Sequence, residues 1–183
     1  MKKLLITGFI AFALLIQFSS CKKILETVFK GLDVNVPEVQ LTIPAVISVS
    51  PNEISLGTFS YQFNLDSIIK ANTAGVFGVN TVSSVKVKQI SINLSNADQL
   101  NNLSNFESVR MTIQSNINNN PTALFAVNFA DAYASSIIIN PNNSPELLSY
   151  LKGSEISYNM YGKMRRITSK PLNITIAVTL RVN

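Results

Sequence analysis

The sequence predicts a mainly β protein, built as an antiparallel two-layer β-sandwich that is broadly Ig-like and has one or two short crossover helices. Three observations predict this fold class. From Leu32 onward, apolar and polar residues alternate along about eight or nine short segments. Asparagine, serine, proline and glycine separate these segments, as turns require. Each segment has one apolar and one polar face, which is typical of antiparallel sheets with one face in water.

The alternation slips by one residue at three places, and each slip predicts a β-bulge. The slips fall at Pro37, at Gly57 and between Val87 and Ile90. One extra residue in a strand turns all later side chains to the opposite face, which accounts for the change of phase. Further strands are predicted over 109–113, 124–129, 136–139, 155–161 and 174–182.

Two short helices are predicted between strands. Ser144 is a suitable N-cap, Pro145 suits the first helical position, and Gly153 ends the apolar segment between them. The segment 96–103 shows a weaker version of the same pattern. We expect both helices to be crossover connections between the two sheets.

The first twenty residues are predicted to be a signal peptide. Lys2 and Lys3 form a short positive start, an apolar run continues to Phe18, and small residues follow directly. The apolar run is shorter than the ~20 residues that a membrane-spanning helix needs. The predicted divisions are therefore 1–20 for the signal peptide, 21–33 for a tether and 34–183 for the β-sandwich.

Phe18-Ser19-Ser20-Cys21 resembles the lipobox of bacterial lipoproteins, with phenylalanine where that family most often has leucine. The resemblance implies that Cys21 receives a diacylglycerol, that a peptidase cuts before it, and that its new amino group is often acylated. Cys21 is the only cysteine, and it stands at the cleavage position. The alternative is a plainly secreted protein with one unrelated cysteine.

The tether is predicted to contain a short amphipathic helix over 22–31. Apolar residues recur there at helical spacing, lysines lie elsewhere, and Gly31 is a suitable stop. Beside a lipid, such a helix would lie on headgroups with its apolar stripe inward. It would otherwise pack against the domain or fray as a simple linker.

The composition excludes several classes of function. The chain has no histidine and one cysteine, so disulfides, histidine- or cysteine-based triads and thiolate or imidazole zinc sites are not expected. The formal charge of +5 includes Lys2 and Lys3, which leave with the signal peptide, so nucleic acid is not an expected partner. Ser67 and Lys70 fit an S-x-x-K motif, but three other pairs fit it equally well. We expect no catalytic residues, no metal site and no cofactor.

A basic cluster is the densest group of charges in the predicted domain. It consists of Lys163, Arg165, Arg166 and Lys170, and we expect it at the tip of a hairpin between the last two strands. It is a candidate contact for anionic headgroups, lipopolysaccharide phosphate or an acidic partner. The alternative is a solvated turn whose cations discourage edge-to-edge strand pairing.

Two further surface features are weaker candidates. Asp66-Ser67-Ile68 resembles the short O-glycosylation acceptor of some exported Bacteroidetes proteins, which makes Ser67 a candidate site. Tyr150, Tyr158 and Tyr161 lie near one end of the predicted domain and would suit stacking on sugars if they met on one surface.

The leading functional hypothesis is a membrane-tethered lipoprotein that acts as a non-enzymatic interaction or structural module of the cell envelope. Its partners are the membrane, through lipid on Cys21, and an envelope protein or polymer. One alternative is a carrier of a lipid or other hydrophobic ligand in a cavity between the sheets, and another is an enzyme with a carboxylate-only site. Because no acidic residue follows Cys21 directly, we expect the periplasmic face of the outer membrane.

Overall fold

The computed structural model describes residues 29–183. The predicted signal peptide, Cys21 and residues 22–28 of the predicted tether helix lie outside the described residues. The described end of that segment, from Phe29 to Gly31, is irregular and not helical.

Strands and short helices follow one another along the described chain. The helices are α1 (Leu65–Asn72) and α2 (Leu148–Leu151), with 3-10 turns at Val79–Thr81 and Leu103–Asn105. The strands are β1 (Leu32–Asn35), β2 (Val39–Ile43), β3 (Ile54–Gln62), β4 (Val85–Leu94), β5 (Phe106–Ser115), β6 (Thr122–Asn128), β7 (Ser136–Ile139), β8 (Glu155–Met164) and β9 (Leu172–Val182).

The strands form two antiparallel sheets packed face to face, which confirms the predicted two-layer β-sandwich. One sheet has the order β1-β9-β4-β7, with β2 also paired to β9, and the other has the order β3-β8-β5-β6. Since β4 occupies one edge of β9, β1 and β2 lie end to end along the other edge and act as one interrupted strand. With that pair counted once, the connectivity is that of an eight-stranded jelly roll, which refines the broadly Ig-like expectation.

All three predicted bulges are confirmed. Asn35 pairs with Thr179 and Val39 with Ile176, so three residues between these pairs lie opposite two of β9, and one residue near Pro37 is extra. The β3 register shifts by one residue between Ser55 and Gly57, and the β4 register shifts between Val87 and Gln89. Each bulge returns the apolar residues beyond it to the interior face.

The core lies between the two sheets and is formed by alternate strand residues. In β9 every second residue from Leu172 to Val182 is buried, as the predicted apolar face requires. In β8 the same alternation buries Ile156, Tyr158 and Met160 from the other side. Each such side chain contributes about 1.5–3 kcal/mol by leaving water. Together the buried apolar side chains form one contiguous cluster.

The predicted helix start at Ser144 is wrong, because α2 begins at Leu148 and the Ser144 side chain instead hydrogen-bonds the edge of β4. β7 pairs only with Ile90–Asn93 of β4, which leaves the first half of that β4 edge without a partner strand. The Ser144 hydroxyl accepts a hydrogen bond from the Val87 amide at 2.7 Å, and the Glu146 carboxylate accepts one from the Val85 amide at 2.6 Å. The weaker predicted helix over 96–103 is a loop that leads into the 3-10 turn at Leu103–Asn105.

Helix α1 was not predicted, although its signals are local. The Asn64 side chain caps it by accepting a hydrogen bond from the Ser67 amide at 2.9 Å. Leu65 and Ile69 bury its apolar stripe. The sequence of this segment was interpreted through two short motifs, S-x-x-K and an O-glycosylation acceptor, and its helical spacing was missed.

The chain joins the sandwich through a fixed contact just before β1. The Phe29 ring packs on Phe77 with a centroid distance of 5.2 Å, and Arg181 donates to the Lys30 carbonyl at 2.7 Å. Gly31 has a φ of 79°, and a Cβ there would lie 2.6 Å from the Arg181 guanidinium and 2.8 Å from the Val182 carbonyl. β1 then starts at Leu32, two residues before the predicted domain start, because Leu32 already pairs with Val182.

The two ends of the sandwich carry different segments. The N-terminal end holds the Phe29–Gly31 contact, Asn183 and the connections 63–84, 116–121 and 140–154. The loop end holds the connections 44–53, 95–105, 129–135 and 165–171, since β2, β4, β6 and β8 all finish there.

We expect Gly31→Ala to lower the free energy of unfolding by about 2 kcal/mol or more, because it combines left-handed strain with a steric clash. Gly75→Ala is the matched control, since Gly75 has a φ of 78° but no atom within 4 Å of an added Cβ. Its expected loss is only the conformational cost, about 1–2 kcal/mol. Urea denaturation of the purified chain measures both losses, and equal losses would contradict the close approach at Gly31.

Candidate functional site

The loop end is held together by buried, hydrogen-bonded polar side chains. Asn105 is buried and donates both amide hydrogens, to the Leu100 carbonyl at 3.0 Å and to the Ile167 carbonyl at 2.9 Å. Its side-chain oxygen accepts from the Asn102 amide at 2.8 Å. An asparagine side chain is both donor and acceptor, so one buried residue joins two loops without leaving a polar group unpaired.

The other two loops are joined to this network by hydrogen bonds of their backbone groups. Val46 and Thr168 exchange two hydrogen bonds of 2.9 Å, one through the Thr168 hydroxyl and one through its amide. The Leu103 amide donates to the Ala134 carbonyl at 2.8 Å. All four loops at this end are therefore fixed relative to one another.

The basic cluster lies at the loop end, but the hairpin expected for it is wrong. β8 and β9 belong to different sheets, so the segment 165–171 crosses from one sheet to the other. Arg165 points back into the loops, where it donates to the carbonyls of Ser104 at 2.9 Å and Phe129 at 2.8 Å. It serves as a brace between loops.

Each of the other three cations is paired with a carboxylate. Lys163 lies 2.8 Å from Glu107, Lys170 lies 2.6 Å from Asp98, and Arg166 bonds Asp131. The Lys170 ammonium, followed by the Asn101 side chain, holds the pKa of Asp98 well below its usual value. The cluster therefore carries much less net positive charge than the sequence alone suggests.

The loop end also exposes large apolar side chains. Ile47 is 89% exposed, Leu100 is 74% exposed and Ile167 is 57% exposed. Ile167 directly precedes Thr168, which is hydrogen-bonded to Val46. The side-chain amide of Asn105 donates to the carbonyls of both Leu100 and Ile167. We call these three residues the apolar ridge. These residues were missed in the sequence analysis; the available signal was the presence of aliphatic residues inside three otherwise polar loops.

The remaining predicted residues lie elsewhere. Cys21 is outside the described residues. Ser67 lies in the first turn of α1, at the N-terminal end, with its side chain exposed. Tyr158 is a core residue whose burial raises the pKa of its hydroxyl, whereas Tyr161 lies outside under the Arg110 guanidinium at 4.0 Å. The tyrosines therefore do not form a common stacking surface.

A depression of about 520 Å³ lies between the edges of β4 and β6. Lys86, Thr122 and the polar loop 141–145 line it, and no phenylalanine or isoleucine does. The strand-interior phenylalanine and isoleucine residues expected to line a ligand cavity pack instead into the core cluster. Among residues 29–183, no group of three or more acidic or cysteine side chains is placed to hold a metal ion. No helix in that part of the chain is long and apolar enough to cross a bilayer.

No family model matches the chain, and no curated protein sequence matches it. Among solved structures, the family 32 CBM from C. perfringens NanJ in complex with galactose is similar over 81% of this chain and 99% of its own, with 9% identity and a TM-score of 0.37. The decameric BFDV capsid protein is similar over 84% and 98%, with 11% identity and a TM-score of 0.36.

An infectious bursal disease virus structure, Gt strain, is similar over 84% of this chain, with 7% identity and a TM-score of 0.35. The chain spans about a third of that protein's length. All these similarities concern the two-sheet fold alone. The strand order of the two sheets itself defines the class of protein, a jelly-roll β-sandwich.

We expect acid to weaken the loop end through Asp98. Because the pKa of Asp98 in the folded protein is held below its usual value of 3.8, the contribution of Asp98 to stability is present above about pH 4 and is lost as the pH falls through the folded pKa. Asp98→Asn should be less stable than wild type near neutral pH, and the difference should shrink as the pH falls below about 4. Thermal melts across that range measure it. A difference that stays constant would contradict the role of the charge.

Proposed function

We propose that the chain is an exported lipoprotein, anchored through lipid on Cys21 at the periplasmic face of the outer membrane. Its sandwich is a non-enzymatic interaction module that presents the loop end to a partner in the cell envelope. The observation that carries the proposal is the placement of two features at opposite ends of the sandwich. The chain joins it at Phe29–Gly31, whereas the apolar ridge lies at the loop end.

The length of the tether supports this orientation. Eight residues lead from Cys21 to Phe29, and they span at most about 29 Å when fully extended. Strand β9 alone runs about 34 Å from the loop end to the N-terminal end. Lipid on Cys21 would therefore hold the N-terminal end near the bilayer and leave the loop end free to face away from it.

The same geometry selects among the partners expected for the basic cluster. Its cations lie at the end opposite the tether, and three of them already have carboxylate partners. Contact with headgroups of the anchoring membrane is therefore disfavoured. Ser67 lies at the N-terminal end, where its exposed side chain remains a candidate for O-glycosylation without obstructing the loop end.

Replacing Cys21 by serine should release the protein from the membrane, because acylation requires the thiol. We expect wild type to fractionate with the membrane and to show added acyl mass, and Cys21→Ser to be soluble or unprocessed. Membrane fractionation and intact mass spectrometry measure the two properties. Identical fractionation of both chains without acyl mass would contradict the lipid anchor.

A second experiment tests the orientation. With Cys21 acylated, Ile117→Cys at the N-terminal end and Ile167→Cys at the loop end each supply one free thiol for a fluorophore. The two isoleucines match in type and exposure, at 56% and 57%. In proteoliposomes containing spin-labelled lipid, we expect stronger quenching at position 117 than at 167. Stronger quenching at position 167 would contradict the proposed orientation.

A further inference from the structure

The three side chains of the apolar ridge are carried by loops that are hydrogen-bonded to one another. Single exposed aliphatic residues are ordinary on protein surfaces, whereas adjoining ones mark interaction sites. Ile47 directly follows Val46, which bonds Thr168, and Ile167 directly precedes Thr168. The carbonyls of Leu100 and Ile167 meet at the one Asn105 amide group. Three joined loops thus carry the three exposed side chains at the same end of the sandwich.

The ridge stands on a rigid base. Asn101, Asn102, Ser104, Asn105 and Thr168 are all buried beneath it. Asn101 itself accepts from the Ser169 amide at 2.8 Å and donates its side-chain amide to Asp98 at 2.9 Å. A surface that is already fixed loses little conformational entropy on binding, which is the property of binding anchors.

The surroundings of the ridge are close to electrically neutral. Lys170 beside it is paired with Asp98, and Arg166 is paired with Asp131. A polyanion or a phosphate-rich surface would have to break these pairs to reach the cations. The ligand that fits is therefore apolar and of low charge.

We propose that the apolar ridge is the anchor by which the loop end docks into an apolar groove of a different envelope protein. This inference rests on the proposed function, because the lipid anchor determines which way the ridge faces. The tether is too short to carry residues 21–28 over the loop end. Two copies anchored in one membrane would point the same way, so a second copy cannot meet the ridge end to end.

The test uses the full, acylated chain in its own cells, with a photoreactive amino acid in place of Val49. That residue lies on the same loop as Ile47, outside the ridge. We expect one discrete adduct, which mass spectrometry identifies as a single different protein. The double variant Leu100→Ser with Ile167→Ser should lower its yield about tenfold or more, as truncation of binding anchors does. Ile117→Ser, matched to Ile167 in type and exposure, should leave the yield unchanged.

Other outcomes would overturn the inference. They are an adduct with a second copy of the chain, an adduct with lipid or lipopolysaccharide, an adduct insensitive to the ridge substitutions, and no adduct from a chain that is acylated and membrane-bound. Leu100→Gln with Ile167→Gln replaces the serine pair if thermal melts show that the latter loses its fold. Membrane fractionation of the same cells separates failure of the ridge from failure of the anchor, since only the latter removes wild type from the membrane.

Discussion

The pairing of β9 along both of its edges is the constraint on which the rest of the structure depends. β4 occupies one edge over nearly its full length, and β1 and β2 share the other. Because every second β9 side chain enters the core, these two ladders determine which residues of four strands face inward. They also place Leu32 opposite Val182, and thereby decide at which end the chain arrives. The separation of the N-terminal end from the loop end is a direct result.

The loop end is stabilised by hydrogen bonds between polar side chains and backbone groups, in addition to the strand pairing of the two sheets. Its loops contain many asparagines and serines, whose backbone and side-chain groups would be expensive to bury unpaired. The structure pairs them with one another, so a segment that resembles ordinary polar connections becomes a solid support. Aliphatic side chains exposed on such a support cannot retreat into the core by moving the loop. Their exposure is therefore a lasting property of the folded state.

Local patterns predicted the fold well, whereas long-range pairings were not readable. The alternation and the bulges at Pro37 and Gly57 are properties of a few adjacent residues, and they were predicted. Ser144 was misassigned because a capping residue looks the same whether it serves a helix or the open edge of β4. The basic cluster looked cationic because its carboxylates, such as Glu107 and Asp131, lie more than thirty residues away in sequence. The apolar ridge could not be predicted from the sequence, because its three residues lie on loops that meet only in the folded protein.

The capping of the β4 edge has a consequence for how many copies can share one surface. Under the proposed lipid anchor, copies would be confined to two dimensions, where neighbours collide often and in similar orientations. An open strand edge would invite continuous sheets to grow from one molecule to the next. The side chains of Ser144 and Glu146 accept hydrogen bonds from the amides of Val87 and Val85. A strand from another molecule therefore cannot pair with these amides. The part of the β4 edge that the short β7 does not cover is thus closed to a strand of a neighbouring copy, which under the proposed anchor favours separate molecules on a crowded membrane.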